Sequence, residues 1–292
     1  MDVHAFLSDA LAEDLGSGDL TTESCVPPSV RGRGRVRAKQ PLVVAGLDLA
    51  RRTFEVVRER LDLPHAALSW SAHAADGDAV NAGAVVAEIE GPTQILLIGE
   101  RLALNLLMKL SGIATHVRGH VDAAAGGTLR VVDTRKTTPL LRDLEKYAVR
   151  CGGASNHRRG LYDGVLVKDN HVDAVGSLAE AVRRARAANH HLVRVQVEVR
   201  SLAELEEALT TPADALLLDN LDDDTLATAI GRARAVKPGL ILEASGNMSI
   251  ARIARIKHLG LDVVSAGGLI HQATWADLSM KIERLADGPD GR

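Results

Sequence analysis

The sequence predicts an α/β protein, in which an N-terminal α+β domain precedes a parallel sheet that is either an incomplete α/β barrel or an open doubly wound sheet. From Leu129 onward, short apolar runs rich in β-branched residues alternate with helical stretches, which is typical of βα units. Six runs are clear, fewer than a closed barrel contains. They are Leu129–Asp133, Gly164–Lys168, Val193–Val199, Ala215–Asp219, Leu240–Ala244 and Asp262–Ser265.

The composition also favours a parallel α/β core. Hydrophobic residues make up 46% of the 292 residues and aromatic residues only 2%, so Ala, Val, Leu and Ile must build the core. The net charge of −3 gives no general attraction for nucleic acid or anionic membranes, and no apolar run approaches the roughly 20 residues of a membrane span. We therefore expect that the protein binds neither nucleic acid nor membranes. Cys25 and Cys151, both outside any CxxC, favour a reducing, cytoplasmic compartment.

The first domain is expected over residues 1–112 and the barrel over 113–271, with the C-terminal segment 272–292 packing back on the first domain. Helices are predicted at Val3–Leu15 and Leu47–Leu61, and a long helix begins near Thr93, with a kink at Ser111-Gly112. The arginines that alternate through Arg31–Arg37 indicate one exposed face of a strand rather than an RNA-binding arm.

Each of the six strands ends in polar or charged residues, and in parallel α/β folds ligands bind at the carboxyl ends of the strands. The cations at these ends are Arg135, Lys136, Arg158 and Lys168, with His157 beside them. Because these charges repel one another, the pattern predicts that a multiply charged anion binds between them. Two acidic residues at the same ends would hold sugar hydroxyls or a divalent metal through their oxygens, or would simply neutralise the cations. They are Glu198 and Asp219.

Two glycine-containing turns follow the last two strands. Ser245-Gly246-Asn247 closes one strand before a helix, and Ala266-Gly267-Gly268 follows the next. Glycine lets a phosphate approach backbone N–H groups, and the start of a helix favours negative charge. The paired turns therefore predict a phosphate site.

Several motifs in this order resemble the quinolinate phosphoribosyltransferase family, whose members are also called nicotinate-nucleotide pyrophosphorylases. The most specific block runs from Asp133 to His171, and the resemblance covers nearly the whole chain. The matching segments are Glu13–Gly16, Gly18–Thr22, Glu100-Arg101, Asp133–Pro139, Glu145–Gly153, Asn156–Arg158, Lys168–His171, Leu217–Asn220, Glu243–Gly246 and Ser265–His271.

The resemblance implies an open α/β barrel that is covered by the N-terminal domain of the partner subunit in a homodimer or a higher oligomer of dimers. Arg101 is expected to reach the partner's site. The activity implied is phosphoribosyl transfer from phosphoribosyl pyrophosphate to quinolinate, with decarboxylation to nicotinate mononucleotide. The residues expected to bind the two carboxylates of quinolinate are Arg135, His157, Arg158 and Lys168.

The same resemblance assigns the second substrate and Mg²⁺. Lys136, Glu198 and Asp219 would serve phosphoribosyl pyrophosphate, with Glu198 and Asp219 as the metal ligands. The catalytic set is Lys136, Lys168, Glu198 and Asp219. Further substrate-binding residues are Thr134, the turns Ser245–Asn247 and Ala266–Gly268, and His271, of which the turns and His271 would hold the 5′-phosphate.

The chain departs from the family pattern at two places, and three alternative functions remain open. The segment Ser265–His271 is looser than the usual family form. The family has Glu-Val-Glu-Val where this chain has Gln196-Val-Glu198-Val, and we expect Gln196 to point away from the site. A related phosphoribosyltransferase acting on nicotinate or another pyridine or pyrimidine carboxylate would need fewer cations. An aldolase-like barrel would use Lys168 as a Schiff-base lysine. A non-catalytic anion sensor would bind without releasing pyrophosphate.

Overall fold

The computed structural model describes residues 1–286, which form two units. Unit 1 contains residues 1–116, 143–152 and the chain from residue 273 onward, and unit 2 contains residues 117–142 and 153–272. The sequence predicts the boundary between the domains at residues 112 and 113. The end of the C-terminal segment that was expected to return to the first domain, residues 287–292, lies outside the described residues.

The helices begin and end largely where local sequence dictates. Ser201 Oγ accepts the backbone N–H of Glu204 at the start of one helix, and Asp222 accepts that of Thr225 at the start of another. Within residues 1–286 no helix is long and apolar enough to cross a membrane. The helices are α1 (Val3–Leu15), α2 (Leu20–Cys25), α3 (Leu47–Arg60), α4 (Thr93–Ala124), α5 (Arg142–Cys151), α6 (Asp169–Val175), α7 (Leu178–Ala188), α8 (Leu202–Leu209), α9 (Asp223–Val236), α10 (Ile250–Ile256) and α11 (Gly268–His271).

The strands fall into one parallel sheet and two antiparallel sheets. They are β1 (Arg31–Ala38), β2 (Leu42–Val43), β3 (Ser69–Ala72), β4 (Ala79–Val80), β5 (Val85–Pro92), β6 (Arg130–Val132), β7 (Val165–Val167), β8 (Val195–Val199), β9 (Ala215–Asp219), β10 (Ile241–Ser245), β11 (Val263–Ser265) and β12 (Leu278–Arg284).

Unit 1 contains an antiparallel sheet in the order β12-β1-β5-β3 and the two-stranded sheet β2-β4. The alternation predicted for β1 is confirmed, because its small and apolar residues are buried while its arginines lie on the other face. Arg33 and Arg35 form ion pairs with Glu90 and Glu88 of the neighbouring strand at 2.5 and 2.7 Å. The arginine-rich segment is therefore a cross-strand charge ladder.

Unit 2 contains the six predicted strands in one parallel sheet, in the order β6-β11-β10-β9-β8-β7. Gln196 on β8 and Glu243 on β10 touch across β9, with Gln196 Nε2 donating to Glu243 Oε2 at 2.8 Å. Strands two apart in a flat sheet are separated by about 9–10 Å, so this contact indicates a curved sheet with both side chains on its concave face. The prediction of an open parallel α/β barrel with an N-terminal α+β domain is confirmed.

The two edge strands of the open barrel are β6 and β7. Beside β6, the segment after α5 forms a single parallel bridge between Ser155 and Val132. The backbone N–H of Ser155 donates to Val131 O at 2.9 Å. Residues 155–158 therefore lie along the edge strand β6, next to its carboxyl end.

Gly112 in α4 is required by a close backbone approach within unit 1. A Cβ atom at this position would lie 2.9 Å from Ala276 N and 2.9 Å from Trp275 Cα, and it would overlap Thr274 O. Ala276 N also donates to Met108 O at 2.9 Å. The helix continues through Ser111-Gly112, where the kink is predicted, and the glycine makes room for the chain that leads into β12.

We predict that Gly112→Ala lowers the free energy of unfolding by about 1–3 kcal/mol, because its methyl group meets backbone atoms rather than a flexible side chain. Gly231→Ala is the matched control, since it is also a helical glycine and no atom lies within 4 Å of the added Cβ. That substitution should raise stability by about 0.5–1 kcal/mol through helix propensity. Urea denaturation of both variants checks the pair, and equal effects would contradict the close-approach argument.

Candidate active site

A buried carboxylate fixes the start of the site at the end of β6. Asp133 is fully buried, and its Oδ1 accepts the backbone N–H of His157 at 2.8 Å. Its Oδ2 accepts Asn156 Nδ2 at 2.7 Å. Asp133 therefore ties the end of β6 to the segment that carries Arg158.

Arg135 and Arg158 are brought together at this end of the sheet. The half-buried guanidinium of Arg158 donates to Gly164 O at 2.9 Å. Burial lowers the pKa of Arg158, and the positive charge of Arg135 lowers it further. Two guanidinium groups that repel each other in this way form a site for an anion with more than one negative charge.

Lys136 lies beside the glycine turn after β11. A Cβ atom on Gly267 would lie 3.0 Å from Lys136 Cδ and 3.1 Å from Lys136 Nζ. Thr134 Oγ1 accepts the backbone N–H of Lys136 at 3.1 Å, which fixes the local turn. An ammonium group next to exposed backbone at a turn is suited to bind a phosphate.

The two acidic residues also converge. Burial raises the pKa of Glu198, and the nearby charges of Asp219 and Asp169 raise it further, while Lys168 opposes the shift. Lys168 Nζ lies 3.7 Å from Glu198 Oε2. A half-buried carboxylate with a second carboxylate close by forms a pair that suits a divalent cation.

These two carboxylates fit Mg²⁺ as a partial ligand set. No group of three or more His, Cys, Asp or Glu side chains arranged for a metal occurs among residues 1–286. Mg²⁺ commonly binds through one or two protein carboxylates together with substrate phosphates and water, so Glu198 and Asp219 match that pattern.

The turn after β10 is held in a conformation that requires glycine. Gly246 has φ +87, and a Cβ atom there would lie 3.0 Å from Asn220 N and overlap the Asn220 amide. Asn220 N donates to Ser245 O at 3.1 Å, and Asn220 Nδ2 donates to Asp219 Oδ2 at 2.7 Å. The predicted phosphate turn is therefore coupled to the carboxylate of Asp219.

Two further predicted site residues, His271 and Arg101, are exposed. His271 is exposed at the end of the short helix α11. Arg101 belongs to unit 1, where its side chain is 60% exposed and 3.9 Å from Glu100. Arg101 also lines a cavity of about 410 Å³ within unit 1, together with Leu11, Asp14, Leu15, Gly18, Asp19, Leu20, Leu97 and Ile98.

The expectation that Gln196 points away from the site is wrong. Because β8 is regular, Gln196 shares a face with Glu198, and its amide donates to the buried Glu243. Glu243 Oε2 in turn lies 3.5 Å from His157 Nε2. Sequence reasoning assigned no role to Glu243 or Asp133; the available signal was a carboxylate within or directly after an otherwise apolar strand.

Comparison with known proteins gives matches along almost the entire chain. Residues 19–111 match the family described as quinolinate phosphoribosyl transferase, N-terminal domain, and residues 113–281 match its C-terminal domain. A probable nicotinate-nucleotide pyrophosphorylase [carboxylating] from Synechocystis is 44% identical over 97% of this chain and 93% of its own length. A quinolinate phosphoribosyltransferase [decarboxylating] from Nicotiana glauca is 34% identical over 97% of this chain and 83% of its own length.

Solved structures agree with these matches. The crystal structure of NadC from Streptococcus pyogenes superposes with a TM-score of 0.90 at 38% identity, covering 97% of both chains. The nicotinate-nucleotide pyrophosphorylase from Francisella tularensis superposes with a TM-score of 0.87 at 32% identity, covering 96% of both chains. The chain therefore belongs to the quinolinate phosphoribosyltransferase family.

Proposed function

We propose that this protein transfers the phosphoribosyl group of phosphoribosyl pyrophosphate to quinolinate, with loss of carbon dioxide, in the biosynthesis of NAD. The products are nicotinate mononucleotide, pyrophosphate and carbon dioxide. The observation that supports the proposal is the convergence of Arg135 and Arg158: burial lowers the pKa of Arg158, and the positive charge of Arg135 lowers it further. The names of the relatives describe the same activity.

Quinolinate has two adjacent carboxylates, which require more positive charge than a single carboxylate does. Arg135 and Arg158 supply two guanidinium forks at the end of β6, and Lys168 supplies an ammonium group at the end of β7. Guanidinium groups bind carboxylates through paired hydrogen bonds that fix the plane of the ligand. We assign the carboxylates to these three cations, with His157 in the same segment.

Phosphoribosyl pyrophosphate is assigned to the glycine turns and their neighbours. Lys136 beside Gly267 is placed to offset charge on the phosphates. Glu198 and Asp219 would hold Mg²⁺, which supplies charge neutralisation for the leaving pyrophosphate when bound. The turns Ser245–Asn247 and Ala266–Gly268, with His271, would bind the 5′-phosphate through backbone N–H groups.

The reaction needs positioning and charge stabilisation rather than a protein nucleophile. The ring nitrogen attacks the anomeric carbon, and the bond from that carbon to the pyrophosphate oxygen breaks. The N-ribosylated ring then carries a positive charge. Loss of the carboxylate beside the nitrogen leaves its electron pair on the ring carbon, which takes up a proton. Cations that align the two carboxylates hold the nitrogen in line with the anomeric carbon.

The Schiff-base alternative has little support in the geometry of Lys168. Its side chain is 49% exposed and lies 3.7 Å from Glu198. Lysines that form Schiff bases are usually desolvated in an apolar pocket or placed next to another cation.

We infer further that the protein acts in the cytoplasm as a homodimer.

We predict that quinolinate is preferred over nicotinate by about 30- to 1000-fold in kcat/KM, because nicotinate lacks one carboxylate and forfeits roughly 2–4 kcal/mol of charge-assisted contact. Phthalate, which has both carboxylates but no ring nitrogen, should inhibit competitively without turnover. Steady-state assays that detect nicotinate mononucleotide by mass and pyrophosphate by a coupled reaction decide the question. Equal turnover of nicotinate and quinolinate would replace the proposal with a nicotinate enzyme.

We predict that removal of divalent metal by a chelator abolishes turnover and that Mg²⁺ restores it. In Asp219→Asn, half-maximal activity should require about 10-fold more Mg²⁺ because one hard oxygen ligand loses its charge. Asp224→Asn is the control, since Asp224 is an exposed carboxylate in the first turn of the helix that follows β9. An unchanged Mg²⁺ requirement in Asp219→Asn would remove Asp219 from the metal site.

We predict that the proposed dimer shares its active sites, with Arg101 completing the site of the partner. Arg101→Ala and Lys136→Ala should each reduce kcat by about 100-fold or more, since each removes a charge that faces the substrates. Mixing the two variants under conditions of subunit exchange should restore activity, because one site in each mixed dimer is intact. Lys281→Ala, whose side chain is 83% exposed, serves as the control for loss of a lysine. Demonstrated exchange without recovery would show that each chain completes its own site.

A further inference from the structure

A buried polar chain lies beneath the proposed quinolinate site. Glu243 is only 3% exposed in the middle of β10. Its Oε2 accepts Gln196 Nε2 at 2.8 Å and lies 3.5 Å from His157 Nε2. Gln196 itself is only 8% exposed. A carboxylate in such a position is costly unless hydrogen bonds stabilise its charge, so the surrounding donors decide its state.

The donors around Glu243 keep it ionised. Burial by itself would raise the pKa of this carboxyl, but His157, Ser265 and Gln196 together hold the pKa below its ordinary value. The three donors come from three different parts of unit 2: the segment beside β6, β11 and β8. Glu243 is therefore a fixed negative charge beneath the cations of the site.

The same chain of contacts determines which ring nitrogen of His157 carries a proton. The backbone N–H of Arg158 donates to His157 Nδ1 at 2.7 Å, so this nitrogen accepts. The proton of a neutral ring must then be on Nε2, which faces Glu243. The backbone N–H of His157 donates to Asp133 Oδ1 at 2.8 Å. Two buried carboxylates thus hold the segment from which the Arg158 side chain extends.

We propose that Glu243, supported by Gln196, is a positioning residue that fixes the His157 ring and through it the Arg158 guanidinium for binding the dicarboxylate substrate. This inference rests on the proposed function. Glu243 is not a catalytic residue in this scheme, because its carboxylate is buried and contacts protein groups. Its effect should appear in the binding of quinolinate and not in that of phosphoribosyl pyrophosphate.

We predict that Glu243→Gln raises the KM for quinolinate by about 10- to 100-fold and changes the KM for phosphoribosyl pyrophosphate by less than about 3-fold, since misplacement of a substrate-orienting group has effects of this size. The Kd of phthalate should rise in parallel. Asp262→Asn is the control, because Asp262 Oδ2 likewise has two donors, the Arg234 guanidinium and the backbone N–H of Leu242, but lies before β11 at the other end of the sheet. It should leave the KM for quinolinate unchanged.

A swapped pair separates positioning from packing. Gln196→Glu combined with Glu243→Gln restores an amide facing a carboxylate, but the charge no longer lies beside His157. We expect this double variant to recover most of the melting temperature lost in Glu243→Gln while the KM for quinolinate stays at least about 10-fold above that of the original protein. Recovery of KM together with melting temperature would overturn the proposal, as would a parallel rise in the KM for phosphoribosyl pyrophosphate.

A measurement on the unaltered protein keeps the inference testable if the variants do not fold. With ¹⁵N-labelled histidine, the His157 ring can be assigned by its loss in His157→Asn. We expect a proton on Nε2, retained when phthalate is added. A ring protonated on Nδ1 alone would overturn the proposal. Because this measurement needs no turnover, failure to form nicotinate mononucleotide would count against the proposed function and not against the positioning role.

Discussion

Repulsion between cations at the carboxyl ends of the parallel strands is the constraint on which the rest of unit 2 depends. Burial lowers the pKa of Arg158 and the charge of Arg135 lowers it further, so the two cations are held together against their mutual repulsion. Such a cluster persists only if the fold fixes its backbone and supplies compensating charge nearby. The curved parallel sheet does both, because it gathers strand ends from distant parts of the sequence and buries carboxylates beneath them.

The compensating carboxylates differ in their surroundings and therefore in their use. Asp133 and Glu243 are buried and accept hydrogen bonds from protein donors, which makes them supports for the segment carrying Arg158. Glu198 and Asp219 are less completely buried; burial raises the pKa of Glu198, and the charge of Asp219 raises it further. A cation that binds between Glu198 and Asp219 would offset the repulsion between their negative charges.

Much of the fold could be predicted because local patterns specify it. All six apolar runs after Leu129 became parallel strands, and the arginine alternation in β1 appeared as a one-sided strand. The polar strand ends also indicated which side chains share a site. The structural reason for Gly112 could not be predicted, because it depends on a backbone approach from residues 274–276, far along the chain. A contact between segments so far apart in the chain produces no periodic pattern of residues in the sequence.

Gln196 illustrates why the buried part of the site escaped prediction. The mistaken expectation placed its side chain away from the site, whereas its physical role is that of a donor to Glu243. A carboxyl group in its place would face Glu243 directly, and the two could share that contact only by binding a proton. An amide donates the same hydrogen bond without any titratable proton. The neutral amide of Gln196 therefore helps to keep Glu243 charged beneath Arg158. Composition and motif spacing cannot distinguish such a glutamine from an ordinary polar substitution.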